Sequence, residues 1–169
     1  MMVTYYWVQT DMGRDVLVWK AEPPYGGAYF CHGLTFDGVN APDGPLSPVE
    51  NSVPKVLQDE WVPICCGRAG HREGEAASAI AVFAKADIPS HSGKVATAVL
   101  SGAVFDEHRS MLYSKQGAYS RRPTFDSFHA NVGIHGKYTC YVKKGDPRLT
   151  EQTCCPGPGE NEVPDRWPH

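Results

Sequence analysis

The sequence predicts an α+β domain in which a few N-terminal helices pack on an antiparallel β-sheet. Three observations predict it. Short runs of period-two alternation, rich in β-branched and aromatic residues, occur at both ends of the chain. One amphipathic helix precedes most of them. The runs in the middle of the chain are joined by connections too short for the crossover that a parallel pair needs.

Taken in order, YYWVQT and DVLVWKA between Tyr5 and Ala21 alternate as two strands, with Asp11-Met12-Gly13 as the turn. EPPYGGAYF then breaks regular structure, because Pro fixes φ and Gly accepts positive φ. A short helix is expected from Cys31 to before Gly38, followed by a Pro- and Gly-rich loop. Val53, Val56, Leu57 and Trp61 fall on one helical face. Ser52 is the expected N-cap and Pro54 suits the first turn, so this helix ends near Trp61. CCGRAGHREGEAAS reads as loop. Strands follow at Ala79–Lys85, from His91 to about Leu100, and at MLYSKQG, ending at Gly117; these three form an antiparallel meander. The stretch AYSRRPTFDSFHANVGIHG reads as loop with one turn of helix at Thr124–His129, and KYTCYVKKG is the last strand. From Asp146 onward the prolines and the absence of periodicity predict an irregular or mobile tail. The expected organisation is therefore one domain over 1–145 and a Pro-rich extension over 146–169.

Length and composition set limits. At 169 residues the chain can bury roughly two-thirds of its unfolded surface, so it needs no metal or disulfide to build a core. A net charge of −3 without a basic stripe argues against nucleic acid as a partner. No apolar run has the length of a membrane span. The N-terminus lacks the charged region and small-residue cleavage site of a secretory signal. The six cysteines include two adjacent pairs, Cys65-Cys66 and Cys154-Cys155. A cross-link between the pairs would need an oxidising compartment; free, partly buried thiols are the reading adopted. Zinc is not expected at Cys65, Cys66, His71 and Glu73, because their spacing is not that of a structural site. No cofactor is implied. His108, His129 and His135 read as scattered surface residues, and Arg121-Arg122 as a solvated loop.

The chemistry centres on Cys31. It follows a Gly-Gly break and begins a helix, whose free N–H groups and partial positive charge favour a thiolate and can hold an oxyanion. A thiol there still needs a base. His91, at the start of a strand, is the candidate base, and Ser114, near the middle of the neighbouring strand, is the group that would orient it. The competing account is a buried structural cysteine, since free Cys is among the most buried residue types.

With CHGLTF, VPKVLQDEW, IAVFAK, HSGKV and LYSKQG in this order, residues Cys31 to Gly117 resemble the papain-like fold of NlpC-type and CHAP-type cell-wall hydrolases. The resemblance includes an uncharacterised bacterial branch with Cys-His-Gly, His-Ser-Gly and Ser-Lys-x-Gly elements. It implies a papain-like fold with Cys31 as nucleophile, His91 as base and Ser114 at the third position. His32, Lys115 and Gln116, next to those positions, are the expected substrate-binding residues. Well-studied members carry His, Asn, Gln, Asp or Glu third; Ser is a weaker acceptor, which leaves Gln116 and Asp37 as further candidates for that place. The implied activity is amide cleavage by acyl transfer in peptidoglycan stem peptides, as an antibacterial effector or lysin. Such a protein would be secreted, or delivered to a target-cell periplasm without a classical signal, and paired with a cognate immunity protein. A toxin-type deamidase or protease acting on a protein, and a non-catalytic binding module, are the alternatives.

Overall fold

The computed structural model describes residues 2–21, 31–36, 40–41, 44–45, 47–70, 78–116, 122–150 and 155–163. The alternating N-terminal runs form β1 (Val3–Gln9) and β2 (Asp15–Ala21), antiparallel and paired from Val3↔Ala21 to Gln9↔Asp15. After α1 (Cys31–Thr35) come the two-residue strands β3 (Asn40–Ala41) and β4 (Gly44–Pro45), which pair with each other. β5 (Ser47–Pro48) joins β2 and completes a three-stranded sheet, β1-β2-β5.

The amphipathic segment forms α2 (Val53–Glu60), with Pro54 in its first turn. One detail of the expectation is corrected. Ser52 holds the N-cap position but its side chain does not cap: the residue lies in a 3₁₀ turn (Glu50–Ser52) that runs into α2, and its hydroxyl accepts the Leu17 backbone N–H at 2.9 Å. The helix ends near Trp61, as expected: Trp61 is its C-cap, has extended backbone and opens strand β6 (Trp61–Ile64), where Pro63 sits opposite Tyr141.

The main sheet has six antiparallel strands in the order β12-β11-β8-β7-β13-β6. The expected meander is its centre: β7 (Ile80–Lys85), β8 (Ile88–Thr97) and β11 (Met111–Ser114). Between β8 and β11 lies a small hairpin of β9 (Leu100–Ser101) and β10 (Val104–Phe105). The segment expected to be mostly loop instead holds β12 (Thr124–Ser127) and α3 (Phe128–His135). Ser127 caps α3 by accepting the Ala130 N–H, and Gly136, at φ 94°, ends it. β13 (Lys137–Lys143) then inserts between β7 and β6.

Both faces of the sheet are covered, which is why IAVFAK reads as a continuous apolar run. Ile80 and Val82 pack with Val16 of β2, Phe36, and Val53, Val56 and Leu57 of α2. Ala81 and Phe83 point the other way, into a core with Leu112, Phe128, Tyr138 and Cys140.

The cysteine expectation is overturned. Cys66 is disulfide-bonded to Cys140 and Cys65 is also disulfide-bonded, while Cys31 and Cys155 are free. Cys154 lies outside the described residues. The tail is also tied down in part. Arg148 is buried and pairs with Asp146 at 2.8 Å, and Glu160 is buried and accepts N–H groups of Cys66 (2.9 Å) and Gly157 (3.1 Å). Glu107 holds the same segment by accepting the Gly159 N–H. No helix among the described residues is long and apolar enough to cross a membrane.

Two stability effects follow. The β7–β8 connection has two residues, Ala86 (φ 49°) and Asp87 (φ 65°), both left-handed, the geometry that favours Asn and Gly. Ala86→Gly should raise the unfolding free energy by about 0.5–1 kcal/mol, read as a higher urea midpoint with unchanged slope. Cys140→Ala opens a closure spanning 74 residues and should cost roughly 4 kcal/mol under oxidising conditions. Reductant, which also opens the Cys65 bond in both proteins, should lower the stability of the parent by roughly this amount more than that of the variant.

Candidate active site

Strand β8 organises the site because three successive residues face three different neighbours. His91 pairs across the sheet with Phe83, and its ring contacts the Phe83 ring at 5.9 Å. Ser92 faces the opposite side, where α1 packs. Its hydroxyl is 2.7 Å from His32 Nδ1 and donates to Thr35 Oγ1 at 2.8 Å. Gly93 lies opposite Ser114 in β11. A Cβ on Gly93 would come within 2.7 Å of Leu112 Cγ and 2.8 Å of Ser114 Cβ, so only glycine lets β11 lie this close.

Cys31 is the first residue of α1, as expected, and its thiol is free. Backbone N–H groups of Ser92, His32 and Cys31 itself reach the sulfur, which therefore lies beside the residue that follows His91. Burial pushes the thiol up; those N–H groups oppose the shift, and the Glu50 charge adds to it. Among the described residues no hydrogen bond joins the Cys31 sulfur to His91. Cys31 and His91, the expected nucleophile and base, thus meet the same stretch of β8 without a direct link.

The group at His91 Nε2 is Gln116, whose Nε2 lies 3.4 Å away. Gln116 Nε2 also donates to Ser114 Oγ (3.3 Å) and Asn131 Oδ1 (3.1 Å), and its Oε1 faces His135 Nε2 at 3.0 Å. Ser114, expected to orient the base, is fully buried and touches Gln116 instead. Gln116, and not Ser114, is therefore the group that meets His91, and Ser114 supports Gln116. Asp37, the other candidate, lies outside the described residues. An amide nitrogen carries only hydrogens, so in this pose His91 Nε2 accepts and the ring proton is on Nδ1.

Two residues of this network were not singled out from sequence. His135, read as a surface residue, stacks on His91 with ring centroids 4.0 Å apart and planes at 14°. Asn131, one helical turn earlier on α3, donates Nδ2 to the Ser127 carbonyl at 2.9 Å and holds Gln116. Their signal was the pair of helix boundaries, Ser127 before Phe128 and Gly136 after His135. His108 and His129, read as isolated, also stack on each other at 4.0 Å.

Of the expected substrate-binding residues, His32 is buried and hydrogen-bonded to Ser92, which makes it a support of α1 against β8. Lys115 is buried near Cys31, with burial pulling its ammonium below the usual range and the cysteine opposing that. Gln116 touches the base. Of the four residues weighed for zinc, Cys65 and Cys66 are disulfide-bonded, and His71 and Glu73 lie outside the described residues.

The buried histidines are neutral at ordinary pH. Burial, with its neighbours His135 and His32, pushes His91 down to about 3. Burial pushes His32 down to about 4, against a ring hydrogen bond to the Pro89 carbonyl. A depressed imidazole contributes stability that is present above its unfolded value of 6.5 and is lost as pH falls toward the folded value. Glu160 acts in the opposite sense. Burial pushes it up to about 7, with N–H groups of Cys66 and Gly157 opposing, so its contribution is present below 4.5 and lost as pH rises through about 7. In urea titrations between pH 6.5 and 4.5, His91→Gln should flatten the loss of stability by about one proton, about 1.4 kcal/mol per pH unit. Glu160→Gln should steepen it by a similar amount. Parallel curves for all three proteins would refute the assignment.

Set against known proteins, the chain matches no family model, no curated protein and no solved structure.

Proposed function

We propose that this protein is a cysteine amidohydrolase of papain-like fold, acting on amide bonds of bacterial peptidoglycan stem peptides. The observation that carries the reading is the free thiol of Cys31 at the start of a helix, against the N–H of Ser92, the residue that follows a histidine met by the Gln116 amide. The α+β architecture and the order of nucleophile helix, base strand and neighbouring strand support it.

In the proposed reaction the Cys31 S–H proton passes to His91 as sulfur attacks the carbonyl carbon. Gln116 engages Nε2, so Nδ1 is the nitrogen that takes the proton. That requires the other tautomer of His91, which a half-turn of the Gln116 amide provides by offering Oε1 to Nε2–H. The Ser114 hydroxyl can accept or donate in either pose, whereas Asn131 must turn with Gln116 and give up its Nδ2 bond to the Ser127 carbonyl. The oxyanion is held by N–H groups at the sulfur, and collapse breaks the C–N bond as His91 returns its proton to the leaving amine. Water then attacks the thioester with His91 as base, releasing the acid and restoring the thiol.

With the thiol pushed up and the imidazole pushed down, the resting pair is neutral on both sides. In this reading proton transfer accompanies attack, without a preformed ion pair. Carbamidomethylation of Cys31 by iodoacetamide, mapped by mass spectrometry, should rise about tenfold per pH unit from pH 6 to 8. A rate already level below pH 7 would show an ion pair instead. With muropeptides as substrate, Cys31→Ala should lower stem-peptide cleavage by more than about 10³-fold. No cleaved product from the parent protein would sink the cell-wall reading, and an undiminished biological effect of Cys31→Ala would leave a binding module.

A further inference from the structure

One amide stands between two imidazoles. Gln116 Oε1 is 3.0 Å from His135 Nε2, and Gln116 Nε2 is 3.4 Å from His91 Nε2. An amide oxygen only accepts and an amide nitrogen only donates. The two rings must therefore answer Gln116 in opposite ways, one with a proton on Nε2 and the other with Nε2 bare. Burial holds both rings below the usual range, with the Lys85 charge adding to the effect at His135, so each carries one proton at neutral pH.

The direction of the amide is fixed by a group without such freedom. Asn131 Nδ2 lies 2.9 Å from the Ser127 carbonyl oxygen, which can only accept. Asn131 Oδ1 is thereby left facing Gln116, 3.1 Å from its Nε2. Turning Gln116 alone would set its oxygen against Asn131 Oδ1. Turning both amides would set Oδ1 against the Ser127 carbonyl. Asn131 is buried, so either mismatch is costly. The Ser114 hydroxyl, 3.3 Å from Gln116 Nε2, donates or accepts and takes no side. One amide hydrogen goes to Asn131 and the other lies between Ser114 and His91; a proton on His91 Nε2 would point straight at it.

We propose that Asn131 is a positioning residue: anchored on the Ser127 carbonyl, it turns the Gln116 amide so that His91 rests with its proton on Nδ1 and His135 with its proton on Nε2. The proton arrangement stands by itself; its role in regulation rests on the reading of His91 as the base for Cys31. In that reading Nδ1 has to be bare to take the thiol proton. Asn131 then keeps the base in an idle form, and the site becomes competent only when Asn131 and Gln116 turn together.

The test follows the imidazole nitrogens of ¹⁵N-labelled full-length protein at pH 7.5 by long-range proton–nitrogen correlation, in which a protonated ring nitrogen resonates far upfield of a bare one. The rings are assigned by the signals lost in His91→Gln and His135→Gln. The expected pattern is a bare Nε2 on His91 and a protonated Nε2 on His135. The same tautomer on both rings, or the reverse pattern, would overturn the proposal. In Asn131→Leu, of similar size, His91 should move toward the Nε2–H form and His135 away from it, in step. Should that variant fail to fold, Asn131→Ala, which removes the same oxygen without bulk at the branch, is read in its place. Unchanged tautomers in the folded variant would overturn the role of Asn131. Gln116→Glu, at a half-buried position, offers only acceptors; His91 Nε2 should gain a proton while His135 keeps its own, and a His91 Nε2 still bare would show that Gln116 does not set the tautomer. Carbamidomethylation of Cys31 reports separately on the catalytic reading. It should be severalfold faster in Asn131→Leu than in the parent at the same pH. A tautomer shift without that acceleration would refute His91 as the base for Cys31 and leave the positioning role of Asn131 standing.

Discussion

The close approach of β11 to β8 at Gly93 is the constraint on which the candidate site rests. With no side chain at Gly93, Leu112 and Ser114 fill the space that a Cβ would take. β11 then pairs with β8 through Ser114↔Gly93, and the chain leaving Ser114 carries Lys115 and Gln116 past the base. A larger residue at 93 would push the strands apart at the point where Gln116 meets His91. The His-Ser-Gly triplet is thus three separate physical requirements in adjacent positions. One ring faces α3, one hydroxyl ties α1 to the sheet through His32 and Thr35, and one missing side chain admits the neighbouring strand.

Burial then determines the electrostatic character of the site. His91 and His32 are buried and lose their protons readily, while the Cys31 thiol keeps its proton. A buried charge is costly unless it is paired, and the residues around His91 are a neutral amide, a hydroxyl and a second imidazole. No carboxylate contacts either ring nitrogen of His91 among the described residues. The same burial that orders these residues disfavours a separated thiolate and imidazolium.

Farther from the candidate site, the face of the sheet that carries Phe83 and His91 is held differently. There the Cys66–Cys140 disulfide, Glu160 and Glu107 bind the tail residues 155–163 to the second core, so chain that carries no periodicity is still part of the packed structure. Its fixing forces are backbone N–H groups received by two buried carboxylates, and sequence pattern contains no trace of such bonds.

What the amino-acid sequence determined by itself was local. Alternation set β1 and β2, an apolar run set β7, short strand-like runs set β8, β11 and β13 near their observed bounds, one apolar helical face set α2, and the break before Cys31 set the start of α1. Each rests on the pleat or the helical turn, which a few neighbouring residues report. α3 escaped because its apolar residues do not gather on one face, although its cap and its terminal glycine were visible. The pairing of Cys66 with Cys140, the placing of β13 between β7 and β6, the replacement of Ser114 by Gln116 at the base, and the stacking of His135 on His91 were decided only in three dimensions. These contacts join residues far apart in the chain. Their partners are selected by which strands pair and by which small residue lets two backbones meet, and no local period encodes that.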